Sequence, residues 1–76
     1  MKELLLYVAQ SLVDNPAEVT VTEREGAGET VFELHVAPGD MGKVIGRQGR
    51  IAKEIRSLLR AAAIRAGTRV SVDIVD

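Results

Sequence analysis

The sequence predicts an α+β fold: three helices packed on one face of a three-stranded sheet, in the order α-β-β-α-α-β. Three observations predict it. Residues 18–25, 30–37 and 70–74 alternate apolar and polar side chains, the period of half-buried strands. Residues 2–14 and 50–66 instead repeat apolar residues at helical spacing. Between the second strand and the long helix, a short helical stretch runs into Gly46-Arg47-Gln48-Gly49, a turn framed by two glycines. With 76 residues the chain is expected to be a single domain with one modest core.

The first helix places Leu5, Val8, Ala9 and Leu12 on one side, and Asp14-Asn15-Pro16 ends it. Proline at 16 biases Asn15 away from the α region. In the first strand Val19 and Val21 share a face opposite Thr20 and Thr22. Glu25-Gly26-Ala27-Gly28-Glu29 supplies a flexible hairpin loop, and the second strand turns Phe32, Leu34 and Val36 inward and Val31, Glu33 and His35 outward. Pro38-Gly39-Asp40 breaks that strand, with Asp40 placed to cap the short helix through Val44 and Ile45. In the long helix, at about 100° per residue, Ile51, Ile55, Leu58 and Ala62 are expected on the core side and Lys53, Arg56 and Arg60 on the opposite one. Gly67 stops it, and Val70, Val72 and Ile74 alternate in the last strand.

A net charge of −1 conceals a strong asymmetry. Residues 1–40 carry two basic and eight acidic side chains, whereas residues 41–69 carry eight basic groups against Glu54 alone. Local charge decides where a polyanion is held, because the Debye length is about 8 Å at physiological salt. The same basic residues also make an ordinary solvated helix face.

The glycine turn gives that basic segment a place to act. Without a Cβ, Gly46 and Gly49 let the backbone reverse sharply and approach a ligand closely. A helix beginning near Gly49 has free amides in its first turn, which favour an anion. Arg47, Arg50 and Lys53 surround it with full charges.

Val44-Ile45-Gly46-Arg47-Gln48-Gly49, continued by Lys53-Glu54-Ile55, resembles the signature of KH domains, whose G-x-x-G loop clamps about four single-stranded nucleotides. Length and element order are most similar to the small single-domain bacterial KH proteins of the KhpA type, and the arrangement resembles a type II KH domain. One departure is Ala52, three residues after the second glycine, where the family usually carries a larger aliphatic residue. The resemblance implies a mixed sheet and single-stranded RNA as ligand, with Lys43, Ile45, Gly46, Arg47, Gln48, Gly49, Arg50 and Lys53 as the residues that meet it. Ile45, Ile51 and Ala52 are the local candidates for touching bases. Aromatic stacking contributes little, because the two aromatics, Tyr7 and Phe32, lie far from the loop in sequence. The resemblance further implies a homodimer, a heteromer with a larger multidomain KH-containing RNA-binding protein, or both, and a role in RNA chaperoning, post-transcriptional regulation, cell shape and cell wall biogenesis. Ala61, Ala62, Ala63 and Ala66 admit close approach of another helix, or pack within the chain.

Other chemistry finds little purchase. There is no cysteine, and the single histidine, His35, belongs to no recognisable catalytic motif. Gly42-Lys43-Val44-Ile45-Gly46 fits neither nucleotide-binding glycine pattern, so no enzyme, cofactor or metal is expected. Residues 4–9 form an apolar run too short to span a bilayer and lack the flanks of a signal peptide, so a soluble cytoplasmic protein is expected. The competing reading is a protein-interaction module that docks an acidic partner through the basic helix 50–66.

Overall fold

The computed structural model describes residues 1–75. Its elements are α1 (Lys2–Leu12), β1 (Thr20–Gly26), β2 (Glu29–His35), α2 (Met41–Ile45), α3 (Arg50–Ala66) and β3 (Val70–Val75), joined in part by short 3-10 turns. The strands lie in the order β1-β2-β3. β1 pairs antiparallel with β2, Val21 opposite Leu34, and β3 pairs parallel with β2, Val72 opposite Phe32. The sheet is therefore mixed, and the element order is the expected one.

Alternation along the strands sends Val21, Phe32, Leu34 and Val72 to one face, where all are buried. Leu5 and Ala9 of α1, Val44 of α2 and Ile55 and Leu59 of α3 close over them in one core. Each large side chain buried there contributes about 1.5–3 kcal/mol by leaving water.

Three local features differ from expectation, each for a physical reason. The hairpin turn is tighter: Gly26 pairs with Glu29, leaving only Ala27 and Gly28 between the strands. Both have positive φ, 52° and 77°, the combination a two-residue turn needs to match strand twist.

The second difference concerns Asp40. It occupies the N-cap position of α2, but its side chain caps nothing there. Instead its buried carboxylate, 1% exposed, accepts from the backbone N–H of Asp14 at 3.2 Å and of Asn15 at 3.0 Å, and from Asn15 Nδ2 at 3.2 Å. These bonds pull residues 14 and 15 out of helical geometry, which is why α1 stops at Leu12 and not at Asp14. The same carboxylate thereby fastens the end of α1 to the start of α2. Burial opposes its charge, yet the three hydrogen bonds and the Lys43 ammonium outweigh burial and hold its pKa below the ordinary 3.8. A lowered folded-state pKa stabilises the fold above the unfolded value, and that stability disappears as pH falls through the folded value. Thermal melts should therefore show the melting temperature dropping below pH 3.8. Asp40→Asn should melt lower at neutral pH and lack this part of the acid drop.

The third difference is the face of α3. Ala52, Ile55, Leu59 and Ala63 are the residues it buries. Leu58 is 43% exposed, and Ile51 and Ala62 are half-buried. Of the expected core residues only Ile55 belongs to the sheet-facing seam. Ile51, Leu58 and Ala62 form a neighbouring seam, and Ile51 and Leu58 face α1. Lys53, Arg56 and Arg60 do share a face, but it flanks the buried seam on the β3 side instead of lying opposite it.

Candidate functional site

α2 ends at Ile45, and the chain turns through Gly46–Gly49 into α3. Gly46 N–H closes the end of α2 on Gly42 C=O at 2.9 Å, and Gly49 N–H returns to Gly46 C=O at 3.1 Å. The two glycines have different reasons to be there. Gly46 sits at φ 77°, ψ 172°, a region essentially closed to side chains, and a Cβ added to it would lie 2.6 Å from Ile51 Cγ1. Gly49 sits in the left-handed region at φ 74°, ψ 16°, with nothing within 4 Å of where its Cβ would be. Gly46 is thus packed against the protein, while Gly49 opens toward solvent.

The residues between and around them present charge outward. Arg47, Gln48, Arg50 and Lys53 are exposed. Among the described residues, no carboxylate lies within 4 Å of the Arg47, Arg50 or Lys53 nitrogens. Lys43, one turn back on α2, differs: its ammonium is 3.6 Å from the Asp14 carboxylate. Ile45 is 37% exposed beside the loop. At the other side of the turn, Gly49 caps α3 without a side-chain bond, and Arg50 N–H, the first of the helix, returns to Arg47 C=O. All eight residues expected to meet a ligand therefore surround one loop. Nothing in the arrangement resembles a nucleophile beside a base. Among the described residues no cluster of histidine or acidic side chains offers a metal site, and no helix is long and apolar enough to cross a membrane.

The KhpA/KhpB KH-domain model matches residues 2–74. The chain belongs to this KH-domain family. It is not a family of enzymes. The RNA-binding protein KhpA of Clostridium acetobutylicum is 56% identical over 75 residues, 99% of this chain and 100% of that one. The KhpA of Treponema pallidum is 49% identical across 99% and 94% of the two chains. Among solved structures, Era in complex with MgGDPNP and nucleotides 1506–1542 of 16S ribosomal RNA superposes with a TM-score of 0.67. At 22% identity, over 96% of this chain and 28% of that one, the match shows a shared KH-type fold.

Within this KH fold, clefts lie along α3 on its α1 side and on its β3 side. On the α1 side Val8, Leu12, Ile51, Glu54, Ile55 and Leu58 line an apolar groove of about 410 Å³. On the β3 side Arg56, Arg60 and residues 70–73 line a cavity of about 280 Å³. Neither local candidate for base contact on α3 reaches the second cleft: Ala52 is core at 4% exposed, and Ile51 belongs to the α1 groove. Small size suits Ala52 to its buried place on α3. The β3-side cleft escaped sequence reasoning because β3 lies far from the loop in the chain. The clustering of Lys53, Arg56 and Arg60 on one flank of α3 was the available signal.

Proposed function

We propose that this protein binds single-stranded RNA in the cytoplasm, holding the backbone at the Gly46–Gly49 loop, as an RNA chaperone or post-transcriptional regulator. The observation that carries the reading is the loop itself: two glycines that bare the backbone, beside Arg47, Arg50 and Lys53, which have no carboxylate within 4 Å among the described residues. A phosphate meets the Arg47, Gln48 and Arg50 side chains and the first-turn amides of α3 beyond Arg50, with Lys43 and Lys53 at the flanks. The relatives named RNA-binding protein KhpA, and the Era complex with ribosomal RNA nucleotides, support the same ligand class. Bases then run from Ile45 along the β3 flank of α3, where Lys53, Arg56 and Arg60 follow one another. Binding to a randomised single-stranded RNA pool tests this. Affinity should fall with salt at about 0.7 log units per phosphate contact per log unit of salt, so about 3 for a four-nucleotide clamp. A flat salt response contradicts it.

So small a footprint binds weakly by itself, and useful affinity comes from joining sites. The partner is a second copy of this chain, a larger multidomain KH protein, or both. The α1 groove supports pairing better than the alanine stretch does, because Ala63 is in the core whereas Leu58 stands 43% exposed among Val8, Leu12 and Ile51. Leu58→Asp should lower the mass seen by light scattering without lowering the melting temperature. An unchanged mass removes the groove from consideration as the pairing surface.

A further inference from the structure

Around the glycine loop, one cation is already taken. Arg47, Arg50 and Lys53 have no carboxylate within 4 Å among the described residues, whereas Lys43 Nζ lies 3.6 Å from Asp14 Oδ2. The two partners come from separate places in the fold: Lys43 sits on α2 shortly before Gly46, and Asp14 lies in the turn that follows α1. Asp40 brings those places together. Its buried carboxylate accepts from the backbone N–H of Asp14 at 3.2 Å and of Asn15 at 3.0 Å, which fixes the turn beside α2. Asp40 also attracts the Lys43 ammonium, so two carboxylates act on one cation.

The fold needs the Asp14 backbone in this position and not its carboxylate. Asp14 is tied down through its N–H, whereas its side chain is 74% exposed and has Lys43 as its one ion-pair partner among the described residues. The effect of the carboxylate therefore falls on Lys43. A lysine ammonium is a compact charge on a flexible stem, so it can leave a carboxylate for a phosphate oxygen without moving the backbone. That exchange gives up the existing pair. Exposed pairs of this kind are worth up to about fivefold in an equilibrium constant, and an RNA gains that much less from Lys43 than from a cation with no partner.

We infer that Asp14 limits the affinity of the loop for RNA, its carboxylate holding the Lys43 ammonium back from the phosphate backbone. The inference rests on the RNA-binding reading above. In the free protein Lys43 is paired with Asp14; on binding, the phosphate nearest α2 takes that place and the Asp14 carboxylate returns to water. Arg47, Arg50 and Lys53 need no such exchange, so they supply most of the attraction and Lys43 a reduced share. Asp14 acts through Lys43 and touches no ligand, which makes it a positioning residue. A neutral side chain at this position would let the loop hold RNA more tightly and release it more slowly.

The test is a double-mutant cycle of the parent, Asp14→Asn, Lys43→Met and the two combined, with binding of a dye-labelled randomised single-stranded RNA followed by fluorescence anisotropy. Asp14→Asn keeps the N–H that Asp40 accepts and should tighten binding about two- to fivefold. Its affinity should also fall more steeply with salt, by about 0.7 log units per log unit of salt for the added phosphate contact. Lys43→Met should weaken the Asp14→Asn protein more than it weakens the parent, so that the gain disappears in the double variant. If Asp14→Asn melts below the assay temperature, Asp14→Ser, which keeps the same N–H, provides the comparison. The inference is overturned if neutralising Asp14 leaves the affinity unchanged or lowers it. It is overturned equally if the gain persists undiminished in the Lys43→Met background, which would mean that Asp14 repels RNA through space and not through Lys43. Failure of the parent to bind the RNA overturns the RNA-binding reading, and this inference with it.

Discussion

Gly46→Ala is expected to lower the melting temperature by roughly 10–30 °C, and Gly49→Ala by much less. Two costs combine at Gly46. Its φ of 77° with ψ of 172° lies where side chains are essentially not found, at about 1–3 kcal/mol. The new methyl group would also stand 2.6 Å from Ile51 Cγ1 and 2.9 Å from Ile51 Cβ. Overpacking of that kind costs about 1–3 kcal/mol more, because Ile51 is held in the α1 groove and cannot simply swing aside. At Gly49 only the left-handed backbone is at issue, about 1–2 kcal/mol, since open space surrounds its Cα. Thermal melts of the two variants, measured side by side, check the asymmetry. Equal losses would mean that Ile51 does not press on Gly46.

The second large effect concerns binding. Arg47→Asp combined with Gln48→Asp should abolish detectable RNA binding and leave the fold intact. The pair changes the charge of the loop by three units, from a cation and a neutral amide to two carboxylates. At about 4 Å even full water screening makes each unit worth about 1 kcal/mol, so the loss is on the order of a hundredfold or more. Folding should survive for reasons visible in the loop. Both side chains are exposed, and neither makes an ion pair or a side-chain hydrogen bond among the described residues. Gln48 already holds φ 57°, ψ 26°, a conformation that aspartate accepts more readily than most residues.

How much of this was legible beforehand varied with the range of the interaction. The loop was readable because its determinants are adjacent in the chain: two glycines three apart and cations on either side. The strand faces were readable for the same reason, since Phe32, Leu34 and Val36 alternate and all are buried. The face of α3 was not. Its apolar residues cover two adjoining seams, Ala52-Ile55-Leu59-Ala63 against the sheet and Ile51-Leu58 toward α1, and periodicity cannot say which seam meets which neighbour. Asp40 looked like a local cap, but its partners lie 25 and 26 positions earlier in the chain, beyond what local capping rules address. Arg56 looked like one more solvated cation, and its bond to Val72 depends on where β3 is laid down.

The central claim is that the Gly46–Gly49 loop is a phosphate clamp. Its most direct test is titration of one single-stranded RNA with the parent and with the Arg47→Asp/Gln48→Asp variant, each at low and high salt and each shown by circular dichroism to be folded. The parent should bind with an affinity that falls steeply as salt rises, and the folded variant should not bind at either salt. Equal binding by the two proteins would contradict the clamp and move the nucleic-acid contact away from the loop. Loss of the parent's own binding, with an acidic protein still captured through residues 50–66, would instead favour a protein-docking helix.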